Sequence, residues 1–317
     1  MITNILLYIV SFFAIWWGAG LIIQAVDKIS RRLRLSSFAI SFFVLGLLTS
    51  IPETALSINA VLDHNPEIFV GTLLGGVISI FLFIIPVLAI LGKGIRINHD
   101  LDKKTLLFSL AVIAMPSLLV IDHRVTNLEG FLLIVFYAVL FYLIQRKHGI
   151  FCEEKTAVLQ IKAYSFMDLL KVILGIGIIF ISSSFIVEQT VTFSKVLHVP
   201  ILYISLLVLG LGTNLPELSL AVRAILSGKK DIAFGDYLGS AAANTLLFGF
   251  FTLVNDGEVL TTNNFLMTFG FIVAGLAFFY YFSQSKKDIS IKEGSVLISI
   301  YILFVLYQLG KATLFVR

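Results

Sequence analysis

The chain is poor in charge: Asp, Glu, Lys and Arg together make up 13% of its residues, roughly half the share of an average soluble domain. That scarcity excludes an ordinary water-exposed surface for 317 residues. Cysteine is nearly absent. The lone Cys152 excludes a disulfide framework and reads as a reduced loop thiol. Histidine is also sparse, and His64, His99, His123, His148 and His198 all fall in predicted loops. A buried histidine relay and a soft-metal centre therefore lack their ligands. Neither G-x-x-x-x-G-K-[ST] nor H-E-x-x-H occurs, so nucleotide hydrolysis and zinc proteolysis lack their residues as well. No soluble domain is expected, because the longest predicted loop is 146–165.

Apolar residues are plentiful, at 58% of the total with a mean hydropathy of +1.01. They arrive in blocks of about 20, each long enough to span a bilayer. Ten blocks are predicted, at about 3–25, 37–62, 67–91, 104–121, 127–145, 166–188, 199–226, 231–254, 263–283 and 293–312. The first is expected to be retained as a span, since no basic segment precedes it and KISRRLR follows it. Seventeen of the 23 Lys and Arg residues fall in the loops after spans 1, 3, 5, 7 and 9. Positive charge stays on the cytoplasmic side, so both termini are expected outside the cell (inner) membrane. The net charge of +4 then follows from that bias and calls for no nucleic-acid partner.

A shift of 164 residues superposes residues 44–83 on 208–247 with fifteen identities and no gap. The matches include Gly46/Gly210, Thr49/Thr213, Pro52/Pro216, Glu53/Glu217, Gly71/Gly235 and Gly75/Gly239. A repeat of five spans is odd in number, so its second copy enters the membrane from the other side. The loop charges agree: DHNPE in the first copy faces SGKKD in the second. The predicted fold class is thus all-α and integral to the membrane, with ten transmembrane helices in two inverted-topology five-helix repeats. Its divisions are 1–145, a cytoplasmic linker at 146–165, and 166–317, with the repeated cores at about 44–84 and 208–248. Such a plan places a transporter's substrate site near the midplane.

Within each core, LLTSIPET and LGTNLPEL carry a proline and a glutamate inside an apolar run. Proline in a helix interior removes a backbone hydrogen bond, and carbonyls freed in lipid need a partner. Unpaired carbonyls are expected near Gly46–Leu48 and Gly210–Gly212, where a cation would suit them. An intramembrane glutamate is costly and marks an ion or proton pathway. Glu53 and Glu217, with Thr49, Ser50, Thr213 and Asn214 within one turn, form a hard oxygen set suited to Ca²⁺ or Na⁺. In span 8, Asp236, Ser240 and Asn244 recur every four residues on one helical face. The corresponding positions in span 3 are Thr72, Gly76 and Ile80. Ser182, Ser183 and Ser184 in span 6 are read as helix-packing residues, and Trp16 and Trp17 as packing in mid-span.

These residues resemble the cation/Ca²⁺ exchanger superfamily, and within it the prokaryotic sodium/calcium exchangers. The resemblance rests on GLLTSIPE with GTLLGG, and on GLGTNLPE with GDYLGS. It implies that Glu53 and Glu217 bind the transported cation, with Thr49, Ser50 and Thr213 completing the sites. It also implies that spans 1 and 6 slide over the rest. Where the family has serine, this chain has Asn214 and Gly76. Ser240 is retained. The polar position one turn further on is Ile80 in one repeat and Asn244 in the other, and the asparagine after the first glycine is Thr72 or Asp236. No cofactor is implied. The partners are inorganic cations, Ca²⁺ and Na⁺, and the lipid bilayer.

The expected activity is secondary active Na⁺/Ca²⁺ antiport by alternating access. Two alternatives stay open. One is a cation/H⁺ exchanger, since a carboxylate withdrawn from water can carry a proton. The other is a non-transporting scaffold or sensor on a degenerate exchanger fold, which the ligand-poor Gly76 and Ile80 would suit.

Overall fold

The computed structural model describes residues 2–33, 42–43, 46–96, 102–148, 166–215, 217–218, 233–255, 258–261, 265–285 and 288–315. Cys152, Pro216 and most of the 146–165 linker lie outside these residues. The helices are α1 (Ile2–Leu33), α2 (Gly46–Thr49), α3 (Ile51–Leu62), α4 (Pro66–Leu91), α5 (Lys103–Leu119), α6 (Asn127–His148), α7 (Phe166–Leu197), α8 (Ile201–Gly212), α9 (Ala233–Val254), α10 (Leu266–Ser285) and α11 (Ile291–Phe315). Eight of them are long and apolar enough to cross a membrane. The chain is a multi-pass integral membrane protein. The two shorter apolar runs, α2–α3 and α8, contain the TSIPE and TNLPE motifs or end on them.

Helix α1 continues through the basic KISRRL, which was expected to lie in a loop. Lys, Arg and Leu are strong helix formers, and no Gly or Pro interrupts them. Helix α7 likewise runs on to Leu197, past the expected end at 188. Three of the loop histidines, His64, His123 and His198, sit at left-handed positions with φ of 54°, 69° and 53°.

Helices α4 and α9 form the centre, with 83% and 72% of their spans buried. The outer helices turn Phe13, Leu132, Leu303 and Leu306 outward, as lipid-facing surface requires. Trp16 and Trp17 belong to that surface and are exposed at 41% and 62%.

Two short antiparallel ribbons clamp the loops. β1 (Ile95–Arg96) pairs with β4 (Asp288–Ile289), and β2 (Arg124–Thr126) pairs with β3 (Glu258–Leu260). The 164-residue shift maps one ribbon onto the other: Ile95 opposite Ile289 becomes Val259 opposite Val125. All four of these side chains are buried. Helices α6 and α11 also begin alike. Thr126 and Glu129 form a reciprocal capping box, and Ser290 and Glu293 form its counterpart at the same offset.

The central helices approach through glycine. A Cβ on Gly239 would collide with the Phe42 carbonyl oxygen, and one on Gly75 with the Leu206 carbonyl oxygen. Phe42 and Leu206 are again 164 residues apart, and both lie in π-helical turns.

Candidate functional site

The proline that seemed to interrupt a helix in fact begins one. Helix α2 ends at Thr49. Ser50, with φ −83° and ψ 7°, breaks the run, and Pro52 sits in the first turn of α3. An N–H there has no intrahelical partner, so its loss costs little. Glu53 also occupies that first turn, where the helix dipole favours a carboxylate.

The carbonyls expected to be unpaired are partly provided for. The Ser50 hydroxyl donates to the Gly46 carbonyl at 2.8 Å, and the Asn214 amide donates to the Gly210 carbonyl at 2.8 Å. Each break thus carries its own side-chain donor, and the expectation of bare carbonyls at Gly46 and Gly210 is corrected.

The break in α2–α3 and the end of α8 face the middle of α4 and α9. Thr49, Ser50, Glu53, Thr213, Asn214, Glu217, Ser240 and Asn244 are all buried. The described contacts join the two halves of the chain. Asn214 Nδ2 donates to Glu53 Oε1 at 3.3 Å. Ser240 donates to Glu217 Oε1 at 3.0 Å, and its Oγ lies 3.5 Å from Ser50 Oγ. Thr49 bonds back to Gly46 and Thr213 to Leu209 within their own turns. Asn244 reaches across to the Leu73 carbonyl at 3.3 Å.

Three oxygens of this cluster, Glu53 Oε2, Asn214 Oδ1 and Asn244 Oδ1, are buried and accept no hydrogen bond from the described residues. Buried acceptors without donors are rare and need an explanation. A bound cation supplies one. Among the described residues no three His, Cys, Asp or Glu side chains gather as a metal centre. The cluster consists of two carboxylates among hydroxyls and amides, which suits an ion held and released more than one held permanently.

The structure also accounts for the ligand-poor positions on α4. A Cβ on Gly76 would lie 2.8 Å from Asn244 Nδ2 and 3.1 Å from Asn214 Nδ2. Gly76 is therefore the space into which two amides fit. Its role was not legible, because sequence spacing does not say which side chains of another helix arrive at a given turn. Ile80 is buried and opens a π-helical turn, Ile80–Ile84. Thr72 is buried, with its hydroxyl bonded to the Ile68 carbonyl at 2.7 Å. Asp236 belongs to α9 beside this cluster's residues in sequence, but its side chain lies outside the described residues.

Around the cluster, α1 packs along α7, with Gly18 close to the Gly175 carbonyl and Ile179. Tyr8 and Thr190 bond at 3.0 Å across the same contact. Asn59 of α3 donates to Ser183 at 2.8 Å, so Ser183 adds a polar tie to the packing role read from the sequence. Ser182 is buried and Ser184 exposed. From α1, Phe12 fills the space over Gly212.

Comparison with known proteins is consistent across sequence and fold. The profile of the family described as sodium/calcium exchanger protein matches residues 3–145 and 168–310. Among curated relatives, the putative antiporter CaxA of Alkalimonas amylolytica is 26% identical over 82% of this chain and 83% of its own length. The sodium/calcium exchanger MaX1 of Methanosarcina acetivorans is 24% identical over 96% and 98%. Among solved structures, the sodium-calcium exchanger NCX_Mj soaked with Na⁺ and Sr²⁺ superposes with a TM-score of 0.69 at 20% identity, covering 96% of this chain and 98% of that one.

Proposed function

The chain belongs to the sodium/calcium exchanger family, and we propose that it is a secondary active antiporter exchanging Ca²⁺ for Na⁺ at Glu53 and Glu217. It is a transporter of inorganic cations and not an enzyme. The observation that carries the reading is the buried cluster of two carboxylates with three acceptor oxygens that lack donors among the described residues. Two negative charges match one divalent cation or two monovalent ones. An empty pocket leaves those charges desolvated in the membrane, at a cost of several kcal/mol per ion. That cost disfavours crossing without cargo and couples the release of one ion to the capture of another.

Glu53 and Glu217 are the principal ligands. Thr49, Ser50, Thr213, Asn214, Ser240, Asn244 and Asp236 are the neutral and auxiliary ones. The binding site lies where two inverted five-helix repeats, 1–145 and 166–317, joined in sequence by the cytoplasmic linker 146–165, meet. The matched ribbons, matched capping boxes and reciprocal glycine contacts, all at one 164-residue offset, support this plan of ten spans. The names and coverage of the relatives support it too. The loop charges support both termini lying outside the cell membrane. Helices α1 and α7, packed along each other on one flank, are the pair that slides to expose the site to either side in turn.

Sodium is the coupling ion in this reading because the pocket offers hydroxyl and amide oxygens of the kind that take Na⁺. The test is ⁴⁵Ca²⁺ uptake into proteoliposomes under an outward Na⁺ gradient, an outward H⁺ gradient, or neither. Uptake that requires the Na⁺ gradient supports the proposal. Uptake driven by H⁺ alone would make the protein a cation/H⁺ exchanger. No flux of Ca²⁺ or any other cation, in folded protein, would leave a scaffold or sensor.

A further inference from the structure

We propose that the side-chain amide of Asn214 is a tethered stand-in for a monovalent cation, which lowers by one the number of Na⁺ ions the pocket takes up. This rests on the cluster around Glu53 and Glu217 being the cation site. Asn214 Nδ2 stands among three oxygens: the Gly210 carbonyl at 2.8 Å, Glu53 Oε1 at 3.3 Å and Thr213 Oγ1 at 3.4 Å. A backbone carbonyl, a carboxylate and a hydroxyl are the kind of hard donors that hold an alkali or alkaline-earth ion. The amide has two hydrogens for three acceptors. Two of the three contacts are longer than the usual N–H···O range. The oxygens are thus arranged around a position more than around two hydrogen-bond directions, and the partly positive NH₂ group occupies that position.

The orientation of the amide follows from its neighbours. Turning it over would set Oδ1 against the Glu53 carboxylate and the Gly210 carbonyl, two acceptors that repel it. With Nδ2 inward, Oδ1 is left buried without a donor among the described residues, a neutral oxygen that can accept a cation.

The corresponding place 164 residues earlier is built differently. There the residue is Ser50, whose hydroxyl bonds the Gly46 carbonyl and faces Ser240. The carboxylate at that place, Glu217, takes its described hydrogen bond from the Ser240 hydroxyl. Shifted by the same offset, Ser240 becomes Gly76. The loss of a side chain at Gly76 and the gain of an amide at Asn214 are one exchange of volume, since a Cβ at 76 would lie 3.1 Å from Asn214 Nδ2. One place therefore keeps two hydroxyls, while the other is filled with nitrogen. An amide is neutral where Na⁺ would be charged, so the filled place also lowers the charge carried in each cycle.

The test counts ²²Na⁺ bound at saturation to purified protein, in wild type, N214S and N214A. N214S copies Ser50, the residue at the corresponding place. N214A vacates the place without adding a charge, so it remains informative if N214S does not fold. Each folded variant is expected to bind about one more Na⁺ per chain than wild type. Equal counts in a folded variant would overturn the stand-in. A parallel count of ⁴⁵Ca²⁺ in E53Q and E217Q separates the two levels. Loss of Ca²⁺ there, with no Na⁺ gained in the Asn214 variants, removes only the stand-in. Retention of Ca²⁺ in both removes the site, and the stand-in with it.

Discussion

Gly75 and Gly210 meet backbone to backbone: a Cβ on Gly210 would come within 2.5 Å of the Gly75 carbonyl carbon. The same contact recurs between Gly239 and Gly46, where a Cβ on Gly46 would lie 2.5 Å from the Gly239 carbonyl carbon. Each broken helix is thus pressed against the central helix of the other half, which holds the two glutamate motifs at fixed depth. Alanine at Gly75, Gly210, Gly46 or Gly239 is expected to destabilise the fold by roughly 1–3 kcal/mol or more through overpacking. Alanine at Gly20 or Gly177, which have open space around them, is expected to be neutral or slightly stabilising. Size-exclusion chromatography of heated detergent-solubilised protein measures both. Equal thermostability across the two groups would contradict the contact.

Much of this arrangement was legible in the sequence. Thr49, Pro52, Glu53, Gly71 and Gly75 repeat without a gap at Thr213, Pro216, Glu217, Gly235 and Gly239, and matching polar and small residues in apolar helices require a shared geometry. The partners of those residues were not legible. That Ser50 and Asn214 bond the Gly46 and Gly210 carbonyls depends on where the helix breaks, and proline alone leaves open whether a helix kinks or starts afresh. The role of Gly76 depends on amides arriving from the turn after α8 and from α9.

Gly76 and Asn244 are coupled by space. Gly76→Ser is expected to force the Asn244 amide aside and lower Ca²⁺ uptake. Adding Asn244→Ser, which shortens the obstructing side chain, is expected to restore part of it. The double-mutant cycle should show a coupling of roughly 0.5–3 kcal/mol, as for residues in contact. Additive effects on uptake would mean that the two positions do not share the space.

The Ser240 hydroxyl is expected to contribute to cation affinity through its place beside Glu217. Ser240→Ala removes both a donor to the carboxylate and a candidate ligand oxygen. The loss is expected to be about tenfold in apparent Ca²⁺ affinity, equivalent to roughly 1.5 kcal/mol for a hydrogen bond to a charged group. Concentration-dependent ⁴⁵Ca²⁺ uptake measures it. An unchanged half-saturation would place Ser240 outside the site.

The capping boxes are structural. Glu129→Ala and Glu293→Ala each remove the acceptor that holds the first turn of α6 or α11, and each should cost about 1 kcal/mol of stability. Arg124→Ala removes an ion pair to Glu258 between exposed side chains and should cost less, about 0–1 kcal/mol. Thermal unfolding in detergent ranks the three. A larger effect for Arg124→Ala would reverse the assignment.

Equilibrium binding of ⁴⁵Ca²⁺ to the purified protein, with and without competing Na⁺, tests most directly whether Glu53 and Glu217 form one cation site. The account predicts one Ca²⁺ per chain, displaced by Na⁺, and loss of binding in Glu53→Gln and in Glu217→Gln while both variants remain folded. Undiminished Ca²⁺ binding in either folded variant would contradict it.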